Sequence, residues 1–159
     1  MLTRIRTWLM LSLSIAASVN SQSFEGWHAL SIAAPAPLLL ETGKDVEFVL
    51  TLNIKPGYHI NSDQPAEDYL IPTNLSWQSP DLLLKSISYP TGEHVTYSFS
   101  SEPLSVYSGK VQITSTFHAP ETFQENPEPL LGNLLYQACN NTACFPPKTI
   151  SVTVVPLVH

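Results

Sequence analysis

The chain contains two cysteines, Cys139 and Cys144, with four residues between them in the stretch 136–147, YQACNNTACFPP. Strand-like apolar runs lie on both sides, residues 130–136 before and 150–155 after. This arrangement predicts a hairpin with a cysteine near the end of each strand. Such a hairpin brings the two Cα atoms to about 5.5 Å, the separation a disulfide favours. Pro146 and Pro147 fix φ and remove two backbone donors, so no regular helix starts at Cys144. The pair is therefore not a CxxC at a helix N-terminus, where the backbone would lower a thiol pKa. It is a dithiol on a β-scaffold.

The rest of the chain agrees with such a scaffold. In residues 44–54, Val46, Phe48, Leu50, Leu52 and Ile54 fall on one face while Glu47, Thr51 and Asn53 point away. That is period two over a long run. Val111, Ile113, Ser115 and Phe117 alternate in the same way with Gln112, Thr114 and Thr116, and the last strand directs Ile150, Val152 and Val154 inward. Shorter candidates are 27–34, 58–61, 74–77 and 82–89, with 94–99 a short strand or loop. Pro56-Gly57, Ser79-Pro80-Asp81 and Pro90-Thr91-Gly92 punctuate them, and 63–68, 100–103 and 119–129 read as loops. No helical stripe occurs outside residues 1–21. Short strands between turn signals predict an all-β fold, an immunoglobulin-like β-sandwich. The 14 prolines sit mostly between strands, where they also protect sheet edges.

Arg4 and Arg6 precede the apolar run 8–17, WLMLSLSIAA, which at ten residues is too short to span a bilayer. Small residues follow at Ala16, Ala17, Ser18 and Ser21. The expectation is a signal peptide over 1–21, cut near 17–21, and one domain over 22–159. Removing it takes Lys+Arg from 7 to 7 − 2 = 5 and leaves Asp+Glu at 13, a formal charge of 5 − 13 = −8. The five remaining cations are lysines, so no arginine offers a bidentate phosphate contact. Nucleic acid and anionic membrane surfaces are therefore excluded as expected partners. Met1 and Met10 leave with the signal, which removes a methionine copper site. Export also places the cysteines where disulfides persist.

Three readings of the cysteines compete. A structural disulfide is the usual fate of a pair in an exported domain. Closing a loop of about six residues stabilises by roughly 2 kcal/mol, against about 4.7 kcal/mol for a loop of a hundred. A bridge this local pins one hairpin and ties no distant parts together, which leans toward redox work without deciding it. Metal binding is the third reading, but zinc wants four ligands. His28, His59, His94, His118 and His159 are scattered without HxxxH or CxxCH spacing and read as surface or turn residues. No metal and no cofactor is expected. The hydrolase motifs GxSxG and HExxH are absent. Asp63, Glu67 and Asp68 read as a solvated face, and Lys148, the nearest cation to the cysteines, as a solvated strand residue.

The stretch YQACNNTACFPPKTISV resembles the signature of the N-terminal periplasmic domain of the thiol:disulfide interchange protein DsbD, with Y-Q-x-C, a short gap and C-x-P-P. KPGYHINS at 55–62 and VYSGKVQI at 106–113 are further matches, and the resemblance runs from about Val46 to Val155. It implies an immunoglobulin-like sandwich whose Cys139 and Cys144 cycle between dithiol and disulfide. It implies Cys144 as the thiol that attacks an acceptor and Cys139 as the one that resolves the mixed disulfide. It also implies a cap loop over the pair, placed at residues 97–107 (YSFSSEPLSVY), with Phe99 and Tyr107 as its aromatic candidates. The implied partners are a membrane-embedded thiol electron donor and periplasmic acceptors, disulfide isomerases or thioredoxin-like proteins of cytochrome c maturation. Tyr58, His59 and Asn61 depart from a more aromatic stretch in the family. The chain ends 15 residues after Cys144, so the donor is expected on a separate chain. The rival expectation is a non-enzymatic immunoglobulin-like binding or assembly module with a permanent disulfide.

Overall fold

Alternating apolar residues need a second apolar layer to cover them, and this chain supplies it with strands. A computed structural model describes residues 28–122 and 127–158; the expected signal peptide, Trp27 and His159 lie outside the described residues. In chain order the strands are β1 (Leu30–Ile32), β2 (Leu38–Leu40), β3 (Asp45–Ile54), β4 (His59–Asn61), β5 (Asn74–Gln78), β6 (Leu83–Ser88) and β7 (Glu93–Val95). They continue as β8 (Leu104–Tyr107), β9 (Lys110–His118), β10 (Leu130–Tyr136), β11 (Ala138–Cys139), β12 (Lys148–Val154) and β13 (Pro156–Val158). The fold is an all-β, immunoglobulin-like sandwich.

One sheet has the order β1-β3-β9-β6, and a second β12-β10-β5. In β3 the buried residues are Phe48, Leu50, Leu52 and Ile54, with Val46 half-buried, and in β9 they are Val111, Ile113, Ser115 and Phe117. These are the faces the alternation predicts. Trp77 on β5 joins the layers. Its ring meets Phe48 at 5.4 Å and Phe117 at 5.7 Å, both edge-on, and its Nε1 donates to Ser115 Oγ at 2.8 Å. That bond explains a serine in an otherwise apolar row: a buried indole N–H needs an acceptor.

A third sheet, β11-β4-β8-β7, carries the cysteine end of the molecule. Its register pairs Ala138 with Ile60 and Ile60 with Tyr107. All three belong to the main core, so this face looks inward. The alternate positions, His59, Asn61, Cys139, Leu104 and Val106, lie on the opposite face, because neighbours along a strand alternate. That face is also covered: Leu70, Leu104 and Val106 form a second small core.

Two elements escape the sequence pattern. β2 and β13 form a parallel pair, Leu38 opposite Pro156, which a three-leucine run without alternation does not announce. β8 falls inside the expected loop 97–107, yet all four of its residues are buried. A strand covered on both faces loses the alternation that marks a half-buried one.

Gly132 on β10 sits under the Trp77 ring, and a Cβ there would lie 2.7 Å from its Cζ3. Gly132→Ala is expected to destabilise the fold by about 1–3 kcal/mol through overpacking, read as a lower urea midpoint with an unchanged slope.

Candidate functional site

The site is built where the chain changes sheets. β10 pairs with β12 from Leu130↔Val154 to Tyr136↔Lys148. One residue later the chain enters β11, which pairs with β4 instead. Gln137 is the joint. Its Oε1 accepts from Asn61 Nδ2 at 3.0 Å and from the Ile71 amide at 3.1 Å. Its Nε2 donates to the Phe145 carbonyl at 3.1 Å, and its own carbonyl accepts from the Asn61 amide at 3.2 Å. One side chain thus fixes β4, the 63–73 loop and the segment after Cys144 relative to one another.

Cys139 and Cys144 face each other as an antiparallel pair and are joined by a disulfide. The bonds that flank them run from the Asn140 amide to the Ala143 carbonyl, 2.9 Å, and from the Phe145 amide to the Ala138 carbonyl, 2.8 Å. The pair therefore occupies a non-hydrogen-bonded position, where opposed residues come closest. Its Cα separation is 3.9 Å, shorter than the value of about 5.5 Å expected from general disulfide geometry. The expected hairpin is also corrected in one respect. The cysteines are not at the ends of the β10–β12 ladder but beyond it, on a narrow tip attached to the third sheet. Asn140 shapes that tip: its Oδ1 accepts from the amides of Thr142 and Ala143 and from Thr142 Oγ1, each at 2.9 Å.

The two sulfurs have unequal surroundings. Cys139 is fully buried, 0 % exposed, whereas Cys144 is half-buried beside the exposed Pro146 and Pro147. Residues 96–103 form a strap between β7 and β8. Tyr97, Phe99 and Cys144 all pack on the Leu70, Leu104 and Val106 cluster. Tyr97 stacks between Phe99, at 5.6 Å, and His59, at 4.0 Å. Ser98 Oγ donates to the Asn141 carbonyl at 2.9 Å, which ties the strap to the cysteine tip.

Of the residues expected in the cap, the structure brings Phe99 to the cluster that holds Cys144. Tyr107 stands apart. It is buried on β8 in the main core, and its hydroxyl accepts the Asp63 amide and shares its one proton between the Asp63 carboxylate and the Pro90 carbonyl, the latter 3.0 Å away. Burial, then the Asp63 carboxylate, raise its phenol pKa. Asp63 is thus a structural anchor, not part of a solvated face. Sequence reasoning passed over Tyr97, Ser98 and Gln137, although Tyr97 lies in the proposed loop and Gln137 immediately precedes Ala138-Cys139.

His59 corrects a second expectation. Its scattered spacing predicts a surface or turn histidine, but it is only 2 % exposed, on the strand opposite Cys139. A single apolar-flanked histidine carries no sequence mark of burial. Its imidazole is held down to about 4 by desolvation, so it is neutral near neutrality. His118, by contrast, is half-exposed and bonds Asp45, which also meets Lys85 at 2.7 Å. Lys148 opens β12 opposite Tyr136. Among the described residues no group of His, Cys, Asp and Glu is arranged to hold a metal ion.

A covered cysteine pair on the edge region of a β-sandwich defines a class, the β-scaffolded thiol:disulfide interchange domain. The family model described as "Thiol:disulfide interchange protein DsbD, N-terminal" matches residues 32–156, and the chain belongs to that family. Among solved structures it is similar to the N-terminal periplasmic domain of ScsB from Proteus mirabilis, at 15 % identity and a TM-score of 0.53 over 74 % of this chain. The match spans 43 % of that ScsB chain. It is also similar to the N-terminal domain of Neisseria meningitidis DsbD in its reduced form, at 20 % identity and a TM-score of 0.45, covering 77 % of this chain and 85 % of that one. No curated protein sequence matches it.

Two outcomes check this description. Gln137→Ala leaves Asn61 Nδ2, the Ile71 amide and the Phe145 carbonyl without that partner. It is expected to cost about 2 kcal/mol and to speed hydrogen exchange at the Ile71 amide. His59 gives a pH signature. Its folded pKa, about 4, lies below the ordinary histidine value of 6.5, so the unfolded chain binds the proton more readily. The stability it confers is complete above the unfolded value and is lost as pH falls from about 6.5 towards 4, on the order of 3 kcal/mol. Urea midpoints of the oxidised protein are expected to fall over that window, and His59→Phe to flatten this part of the profile.

Proposed function

We propose that this domain is a periplasmic dithiol–disulfide carrier, with residues 1–21 as its export signal and 22–159 as one carrier domain. Cys139 and Cys144 take reducing equivalents from a membrane-embedded thiol electron transporter on a separate chain. They pass them to periplasmic thioredoxin-like or disulfide isomerase acceptors. Membership of the DsbD N-terminal family supports interchange with other thiol–disulfide proteins. Among the described residues no helix is long and apolar enough to cross a membrane.

The observation that carries the reading is the asymmetry of the pair. Cys139 is fully buried while Cys144 is partly exposed. Disulfide exchange is an in-line attack of a thiolate on one sulfur, and access decides which sulfur. An incoming donor thiolate therefore attacks Cys144 Sγ; the Cys139–Cys144 bond breaks and its electron pair stays on Cys139 Sγ. The donor's second thiolate then attacks its own sulfur in the mixed disulfide and releases Cys144. The donor leaves oxidised and the domain leaves as a dithiol. Delivery to an acceptor is the reverse, with Cys144 attacking and Cys139 resolving. No helix dipole acts on either thiol, so docking and strap movement control access to the pair.

Single-cysteine variants test the assignment. Cys139→Ser, which keeps the exposed thiol and removes its resolver, is expected to accumulate a mixed disulfide with a thioredoxin-like acceptor. Cys144→Ser is expected to accumulate little. Equal trapping by both variants would contradict the assigned roles. Ser98→Ala cuts the tie between strap and tip and is expected to raise the rate of disulfide reduction by a small thiol several-fold, since access limits exchange at a covered sulfur.

A further inference from the structure

The face that bears Cys139 holds a second group with unused chemistry. β11 and β4 set Cys139 directly opposite His59. Directly opposed residues share a face of the sheet, with Cβ atoms about 4.5–5.5 Å apart. Cys144 is opposite Cys139 on its other side. The row across the sheet is therefore His59, Cys139, Cys144. The imidazole is buried, its outer face is closed by the Tyr97 ring at 4.0 Å, and its Nε2 has no hydrogen-bond partner among the described residues. A buried polar nitrogen left in this state is costly, and a structural histidine would be expected to have an acceptor or donor in reach.

We propose that His59 is the proton-sharing partner of Cys139, idle in the disulfide and engaged when the bond opens. This rests on the carrier reading above. The chemistry needs such a group. Attack on Cys144 leaves a negative charge on the sulfur that is fully buried, and burial disfavours a thiolate. The arriving negative charge is balanced by one proton from solvent. An imidazole beside the sulfur holds that proton in a thiolate–imidazolium pair, because each charge favours the other. In delivery to an acceptor the proton leaves as the Cys139 electron pair re-forms the disulfide. His59 thus makes Cys139 a better leaving group in one direction and a ready resolving nucleophile in the other.

Among the described residues, the titratable groups placed against His59 are Cys139 on β11 and Tyr97 on the strap, with Tyr58 preceding it in the chain. Beyond them lies Glu93 on β7, whose carboxylate raises the Tyr97 phenol after burial does and which accepts from Ser108 Oγ at 3.2 Å. β8 brings Leu104, Ser105, Val106 and Tyr107, of which only Tyr107 titrates, and it faces the main core. Burial is the sole cause that moves His59 in the disulfide form.

The test follows the His59 imidazole by NMR through a pH titration of the intact domain, once oxidised and once reduced. Proton affinity is expected to rise about tenfold or more on reduction. An unchanged midpoint in folded, reduced protein overturns the proposal. In the Cys144→Ser background, thiolate absorbance reports Cys139 directly. His59→Phe is expected to raise the proton affinity of Cys139 about tenfold, and His59→Gln, which keeps an N–H donor, to recover part of the difference. Identical Cys139 titrations in all three also overturn it. A disulfide that opens only on unfolding would instead sink the carrier reading, and the Cys144→Ser titration still decides the His59–Cys139 coupling.

Discussion

The side-chain amide of Gln137 is the interaction on which the cysteine site depends. The chain must leave the β10–β12 ladder and enter another sheet within one residue, and a bare change of sheet would strand polar groups on both sides. Gln137 satisfies three of them with one planar group, an acceptor for Asn61 and Ile71 and a donor to Phe145. Those contacts place β4 beside β11, and only then does His59 face Cys139. The disulfide tip is thus a by-product of a sheet change held by an uncharged hydrogen-bond cluster, not of a helix terminus.

That origin has a functional consequence. Helix-mounted dithiols gain thiolate stability from backbone dipoles. A strand offers almost none. What this scaffold offers is unequal burial and a fastened strap: Cys139 enclosed, Cys144 at the margin, and residues 96–103 held by one serine hydroxyl and an aromatic stack. The main core, centred on Phe48, Trp77 and Phe117, is completed by other residues. Breaking a bond that closes so short a loop removes little of what holds the sandwich together. A domain that must survive both redox states needs that independence.

Much of the sandwich could be read from the sequence, because β3, β9 and β12 each bury one face and therefore alternate. Phe48, Leu50 and Leu52 declare the inside as clearly in sequence as in space. Ser115 was placed inward by its neighbours, although the reason for a serine there, the Trp77 indole, is a long-range partner no periodicity contains. β8 was harder, since a strand covered on both faces has no polar side to reveal it, whereas β4 falls within the candidate 58–61. The cysteine pair was visible from spacing and flanking prolines. Phe99 packs on the cluster that also holds Cys144, whereas Tyr107 points to the core because β8 alternates and Val106 takes the outer face. The burial of His59 is not legible in the sequence, because burial of a lone histidine is decided by the strand it pairs with.

The most direct measurement is the redox equilibrium of Cys139–Cys144 in the intact domain, read by thiol alkylation across a graded thiol buffer while circular dichroism follows the fold. The account predicts a midpoint well above about −300 mV, with the sandwich folded on both sides of the transition. A bridge that resists reduction until the domain unfolds would contradict it and leave a structural staple in a protein that no longer carries electrons.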